Sequence, residues 1–391
     1  MQFDFDTPVH LTNTHSQKWD GAPGYSGSDH PDLIAMWVAD MDFRAPPAVL
    51  AALQGEVDRG VLGYYGLPGS LTDAIGAWMA ERHDWPIDPS WITFSNGVIH
   101  GLSIVIEAFS EPGDAAILFT PVYHAFSRKL AAKGREIVEA PLNIVDGQFQ
   151  MDLDALAASL TGREKMLIFC SPHNPGGRLW TQDEIKAIAA FCETHDLILV
   201  SDEIHMDLTF PGVRHLPTAT AAPESLPRLI VLTAASKGFN LAGGETGFII
   251  TPDADLRKRL QPAVASHGGS PNRFGMIMTE AAFRSGGDWS DAVRAYIAAN
   301  FKVFRDAVDA LPGVSVMDMN STYLSWVDFS GTGMSLAEIN DRVAKGAGIA
   351  TNPGPTFGTG GELCQRFNIA TSRSTLEKAC ARLAENFADL Q

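Results

Sequence analysis

The sequence predicts an α/β protein, a large domain with a mostly parallel sheet sandwiched by helices, and a smaller α+β domain beside it. Three observations carry that prediction. Short apolar runs alternate with amphipathic stretches between about residues 90 and 250, and strands that alternate with helices build parallel sheets. The runs are apolar at successive positions, as strands buried on both faces must be. Tyr123, Asn174, Asp202 and Lys237 each follow such a run, where α/β sheets place their ligands, beyond the carboxyl ends of the strands.

Residues 1 to about 44 are rich in Asp, His, Gly and Pro with little periodicity and read as an arm lying on something else. Ala48 to Arg59 reads as a helix, apolar at Val49, Leu50, Leu53 and Val57. Trp91 to Phe94 reads as a strand, then the turn Ser95-Asn96-Gly97 and a helix from Val98 to Phe109. Further strands are expected at Ala115 to Phe119, Lys165 to Cys170, Leu197 to Val200, Leu229 to Thr233 and Gly247 to Ile250. Thr181 and Glu184 have capping-box spacing and open a helix to about Glu193. After about residue 283 come a long helix from Trp289 to Leu311, strands at Val314 to Met317 and Tyr323 to Phe329, a helix near Ser335 and a last helix from Thr375. The expected large domain is 45–283, with 1–44 and 284–391 forming the small domain and its arm.

A chain of 391 residues exceeds one core, since single cores stop growing near about 250 to 300 residues. Its formal net charge of -17 argues against nucleic acid or anionic membrane as partner, because both call for clustered Lys and Arg. No apolar run approaches the roughly 20 residues that span a bilayer, and the opening Met1-Gln2-Phe3-Asp4 lacks the basic and apolar parts of a signal peptide. A cytoplasmic protein is expected. Cys170, Cys192, Cys364 and Cys380 stand singly, which points to reduced thiols and no metal site.

Taken alone, a lysine after a strand is a solvated surface residue. Lys237 has a different context, with an apolar strand before it, Ser236 beside it and the cation-free stretch Gly238 to Gly244 after it. Desolvation there would depress its pKa and let it form a Schiff base with an aldehyde cofactor. Such chemistry needs an electron sink, and pyridoxal phosphate serves when a carboxylate keeps its ring nitrogen protonated. Asp202 is the candidate, although Ser201-Asp202-Glu203 would also suit a cap or turn. Asn174 could donate to the ring's phenolic oxygen and Tyr123 could stack on its face. The phosphate would find backbone donors where a helix starts after Gly97, at the amides of Val98 and Ile99, with the Ser236 hydroxyl beside them.

These residues resemble the fold-type-I pyridoxal-phosphate family, the class I/II aminotransferase superfamily, and within it the MalY/PatB-like cystathionine β-lyases. The resemblance rests on Asn174-Pro175-Gly176-Gly177-Arg178, Ser201-Asp202-Glu203-Ile204-His205, Ser236-Lys237-Gly238-Phe239-Asn240 and the N-terminal Trp37-Val38-Ala39-Asp40-Met41-Asp42-Phe43, and it covers nearly the whole chain. It implies that Arg366, with the Ala39 amide, grips the substrate α-carboxylate, a task suited to a planar guanidinium. It implies that Tyr64 reaches the cofactor phosphate of a neighbouring subunit, hence a homodimer with shared active sites. Three positions depart from common patterns: Glu245 stands where many relatives carry a phosphate-binding Arg, Ala234 where many have Ser, and His205 where aminotransferases often have Tyr. The last change also occurs in the lyase subgroup.

The expected reaction is β-elimination from an L-cysteine S-conjugate such as cystathionine. In it Lys237 removes the Cα proton, thiolate leaves with a proton from Lys237 or Tyr64, and pyruvate and ammonia follow. An aminotransferase shares the early steps and is the alternative. A non-catalytic ligand sensor on the same fold is a minor one, raised by Glu245 and Ala234.

Overall fold

The computed structural model describes residues 3–268 and 271–390. The apolar runs form β1 (Ile92–Ser95), β2 (Ala115–Thr120), β4 (Glu164–Cys170), β5 (Ile198–Asp202), β6 (Leu229–Thr233) and β7 (Gly247–Ile250), and β3 (Glu136–Pro141), mostly not buried and not expected from the sequence, adds an edge strand. They make one sheet in the order β1-β7-β6-β5-β4-β2-β3. The pairs β3/β2, β2/β4, β4/β5 and β5/β6 run parallel, so the expected mostly parallel sheet is present. The exception is β7, antiparallel to both β6 and β1. Its burial pattern, apolar throughout, reads the same in either direction. The connection from β6 to β7 holds only two short turns, Ala235–Gly238 and Ala242–Gly244, and has no crossover helix to bring the strand back parallel.

Alternate side chains of the central strands enter two different cores, which is why their sequences are apolar throughout. Ile117, Phe119, Leu167, Phe169, Leu199 and Val231 face one core. Ala116, Leu118, Ile168, Val200, Ile230 and Leu232 face the other. Helix α1 (Val98–Phe109) fills that second core and packs on α2 (Ala254–His267). On the opposite face, the helix Gln182–Thr194 starts with the predicted capping box, Thr181 N donating to the Glu184 carboxylate at 2.8 Å. The sequence reading placed no element at Gly69–His83, which is a helix, although Leu71, Ala74, Ile75, Trp78 and Met79 have the spacing of a buried helical stripe.

A second, four-stranded antiparallel sheet is built from Ser315–Val316, Leu324–Asp328, Cys364–Asn368 and Asn352–Pro353. The helices Gly287–Val308 and Arg373–Asn386 pack together beside it. The N-terminal arm reaches this unit: Ile34–Ala35 pairs with Ile349–Ala350, and Asn368 N donates to Met36 O at 2.8 Å. The arm then crosses to the turn after β6. Asn240 accepts from Met41 N at 3.0 Å and donates to Met41 O at 3.0 Å and Phe43 O at 2.9 Å. A buried ion pair, Lys18 with Asp42 at 3.0 Å, holds the same stretch from its other side.

Asn240 therefore fastens arm to sheet. Asn240→Ala, which removes three hydrogen bonds and leaves their backbone partners unpaired, is expected to destabilise the protein by roughly 2–3 kcal/mol. Thermal unfolding measures the loss, and proteolysis should cut first near residues 38–44.

Candidate active site

The carboxyl ends of β4 and β5, the turn after β6, the start of α1 and the arm enclose a cavity of about 200 Å³. Tyr123, Asn174, Asp202 and Lys237 all line it, together with Gly97, Val98, Ile99, His205, Ser236 and Ala39. A larger hollow of about 620 Å³ lies around Trp78, His83 and Asp207 and contains none of these residues. Size alone would have pointed to the wrong place.

The buried Asp202 carboxylate accepts from Ile204 N at 3.1 Å. Burial pushes its pKa up to about 7, the nearby Glu203 adds to the rise, and Lys237 opposes it. Lys237 responds in the opposite sense, its pKa lowered chiefly by desolvation and partly by Arg366, against the pull of Asp40 and Asp202. Its Nζ donates to Ala39 O at 2.7 Å. His205 is buried and its pKa falls to about 3, through burial and then the charges of Lys237 and Arg366. It is a neutral imidazole at ordinary pH, and its buried Nδ1 has no hydrogen-bond partner among the described residues.

Arg366 projects from the strand Cys364–Asn368 and is buried. Its hydrogen-bond acceptors are Asn174 Oδ1 at 3.0 Å, Trp37 O at 2.8 Å and Asn352 Oδ1 at 2.5 Å, all neutral. Burial lowers its pKa to about 10, which leaves it charged at neutral pH. Because Arg366 occupies Asn174 Oδ1, the Asn174 amide nitrogen is the end left free to donate. At the other end of the cavity, no side chain caps α1, whose first turn follows Gly97 at φ 82°. The Val98 and Ile99 amides are open there.

The departures from pattern have distinct fates. Glu245 lines the cavity beside Thr246 and Gly97, so a carboxylate-bearing residue does stand at that wall. Ala234 is buried in the second core. Tyr64 does not join the cavity within one chain and is fully exposed, at 112% of its reference area.

Several site residues escaped the sequence reading. Tyr323 is buried and its hydroxyl donates to Ala39 O at 2.9 Å, the same carbonyl that Lys237 engages. Asn352 and Trp37 orient Arg366. Asp207, which accepts from Trp78 Nε1 at 2.8 Å and contacts His83 at 2.7 Å, lies against Gly238. A Cβ at position 238 would meet Asp207 Cβ at 2.7 Å, so the turn carrying Lys237 requires glycine next. Of these, only Trp37 and Gly238 stood in a recognisable motif.

Comparison with known proteins agrees with this architecture. The family described as Aminotransferase class I and II matches residues 31–383, and the chain belongs to it. Cystathionine beta-lyase PatB of Bacillus subtilis is 37% identical over 97% of this chain and 98% of its own length. The structure of cystalysin from Treponema denticola, which contains a pyridoxal 5'-phosphate cofactor, superposes with a TM-score of 0.95 at 32% identity, covering 100% of both chains. The PLP-bound C-S lyase from Staphylococcus hominis, in complex with L-cycloserine, gives 0.92 at 30% identity over 99% of this chain and 98% of its own.

The raised pKa of Asp202 makes the cofactor-free protein pH-sensitive. An unfolded Asp ionises near 3.8 while the folded one holds its proton to about 7, so stability falls as pH rises between those values and is level beyond them. Asp202→Asn is expected to match the wild type at pH 4 and to exceed it by roughly 2–4 kcal/mol at pH 8. Denaturant unfolding of both apoproteins at the two pH values checks this.

Proposed function

We propose that the chain is a pyridoxal-phosphate-dependent carbon–sulfur β-lyase that takes L-cystathionine or related cysteine S-conjugates and releases pyruvate, ammonia and a thiol. The observation that carries this reading is an amine and a carboxylate in one buried cavity, Lys237 and Asp202, with neither in an ion pair among the described residues. The full-length likeness to cystathionine β-lyase and C–S lyases supports it.

The residues present fit the cofactor. Open amides at Val98 and Ile99 suit its phosphate, with the Ser236 hydroxyl beside them. Tyr123 offers a ring face, Asn174 a free amide donor, and the unpaired His205 Nδ1 a further polar contact. Glu245 leaves phosphate binding to these neutral donors. When bound, the cofactor supplies an aldehyde that condenses with amines and a pyridinium ring that takes up the electron pair left at Cα.

Arg366 grips the substrate α-carboxylate, which provides the counter-charge its neutral partners lack. The Ala39 amide is the second donor to that carboxylate, while the Ala39 carbonyl holds Lys237 Nζ. Asp202, ionised once it has a cationic ring nitrogen to pair with, keeps that nitrogen protonated. Lys237 Nζ, its pKa lowered by burial, accepts the proton from Cα. The C–S bond then breaks, sulfur departs with the bonding pair, Lys237 or the Tyr64 of a second copy of the chain returns a proton to it, and water hydrolyses the remaining aminoacrylate to pyruvate and ammonia. An aminotransferase would differ in where that proton is delivered, and the breadth of the family keeps this reading open to test.

The assembly belongs to the same proposal. Leu50, Val57, Val61, Leu62 and Leu67, in the same stretch of sequence as Tyr64, are exposed, and exposed apolar side chains suit a contact with a second copy of the chain. In a homodimer Tyr64 reaches the neighbour's cofactor phosphate. We likewise assign residues 45–283 to the cofactor-binding domain and 1–44 with 284–391 to the small one. Among the described residues no helix is long and apolar enough to cross a membrane.

Purified protein loaded with pyridoxal phosphate is expected to release pyruvate and a thiol from cystathionine. If it instead converts the cofactor to its amine form with an amino acid that has no leaving group, and yields no pyruvate, it is an aminotransferase. Lys237→Ala should lower kcat by about 10³-fold or more. Arg366→Lys should raise KM about 10- to 100-fold, the loss of a bidentate charged contact. Sedimentation should find a dimer.

A further inference from the structure

A chain of hydrogen bonds runs from the turn before α1 to the protein surface and takes no part in the chemistry above. Asn96 and Gly97 form the turn that presents the Val98 and Ile99 amides, and all four residues line the cavity. Asn96 N donates to His100 Nδ1 at 3.0 Å. His100 Nε2 lies 3.1 Å from His267 Nδ1, and His267 Nε2 lies 2.6 Å from Glu107 Oε2.

The two ends of this chain dictate every proton between them. A backbone N–H only donates, so His100 Nδ1 carries a lone pair and Nε2 carries the proton. His267 Nδ1 must then accept, and its Nε2–H donates to the Glu107 carboxylate. All three links exist only while His100 is neutral, because a proton on its Nδ1 would face the Asn96 N–H donor to donor.

His100 is the third residue of α1, after the cap residue Gly97. In a capping box that position carries Glu or Gln, whose side chain reaches back to the backbone at the helix start. Glycine at the cap has no side chain to contribute; Ser95 Oγ donates to Gly97 O at 2.9 Å, and among the described residues His100 is the side chain that accepts a backbone N–H of this turn. We infer that His100 is a positioning residue for the cofactor phosphate: by accepting the Asn96 N–H in its neutral form it fixes the turn that aims the Val98 and Ile99 amides, and its protonation releases that turn. This rests on the pyridoxal-phosphate reading given above.

The surroundings favour the neutral form. Burial, and then the nearby ammonium groups of Lys129 and Lys133, lower the His100 pKa below its ordinary 6.5 while His267 stays neutral in this chain of bonds. Glu107, on the same helix, is bound to His267 and Lys133. The strands β1 and β7 beneath α1 carry no ionisable side chain, and Arg259 of α2 stacks over Phe109 at the far end of α1. Cofactor affinity is therefore full above the lowered pKa and declines as pH falls through it.

The test titrates apoprotein with pyridoxal phosphate, read by cofactor absorbance, for wild type, His100→Ala and His100→Gln between pH 8 and pH 5. Gln keeps an acceptor that does not titrate. At pH 8 the Ala variant should bind about fivefold more weakly, the scale of one helix-start contact, and the Gln variant should match the wild type. As pH falls the Gln variant should bind progressively more tightly than the wild type, towards about fivefold as His100 takes up its proton. Titration of the cofactor phosphate and of Asp202 is common to all three proteins and cancels in these ratios. Equal affinity of Ala and wild type at pH 8, equal losses in Ala and Gln, or a wild-type to Gln ratio that does not change with pH would each overturn the inference. If the wild type binds no pyridoxal phosphate at pH 8, the cofactor reading fails and this inference fails with it.

Discussion

Three ionisable groups, Asp202, Lys237 and Arg366, end in one buried region without an ion-pair partner among the described residues. Burying charge without a counter-charge is unfavourable by several kcal/mol per ion unless hydrogen bonds and a rigid frame compensate. Much of the structure serves that need. Asp202 ends a strand with neighbours on both sides, Arg366 ends in a set of neutral oxygens, and Lys237 rests on a single carbonyl. Each group is held in place without an ion-pair partner among the described residues, and each therefore stays available to a ligand of opposite charge.

The frame is made from both sheets and the arm. Ala39 accepts from Lys237 of the large sheet's connection and from Tyr323 beside the small sheet. Trp37 O and Asn352, from arm and small sheet, hold Arg366. Asn240 ties the arm back to the Lys237 turn. The geometry of the amine thus depends on segments about 200 residues apart in sequence, and movement between the two sheets would be felt at Lys237 and Arg366 together.

The phosphate end of the cavity follows a different logic. An anion bound there would rely on amides and a helix start in place of a cation, and Glu245 lines the same wall. Neutral donors bind only if their directions are correct, which makes the turn Asn96-Gly97 as consequential as any charged side chain. The hydrogen bond from Asn96 to His100 belongs to that requirement.

By itself the sequence determined which segments are buried and which residue types follow them. The runs at 115–119, 229–233 and 247–250, the capping box at Thr181 and Glu184, and the positions of Tyr123, Asn174, Asp202 and Lys237 after their strands were all legible, because burial and turn chemistry leave local patterns. Tertiary structure alone decided the direction of β7, the sharing of Ala39 by Lys237 and Tyr323, the neutral shell of Arg366 and the link from Asn96 to His267. The physical reason is range. A local pattern records whether a side chain leaves water, whereas the partner it meets is fixed only when the sheets, the arm and α1 pack against one another.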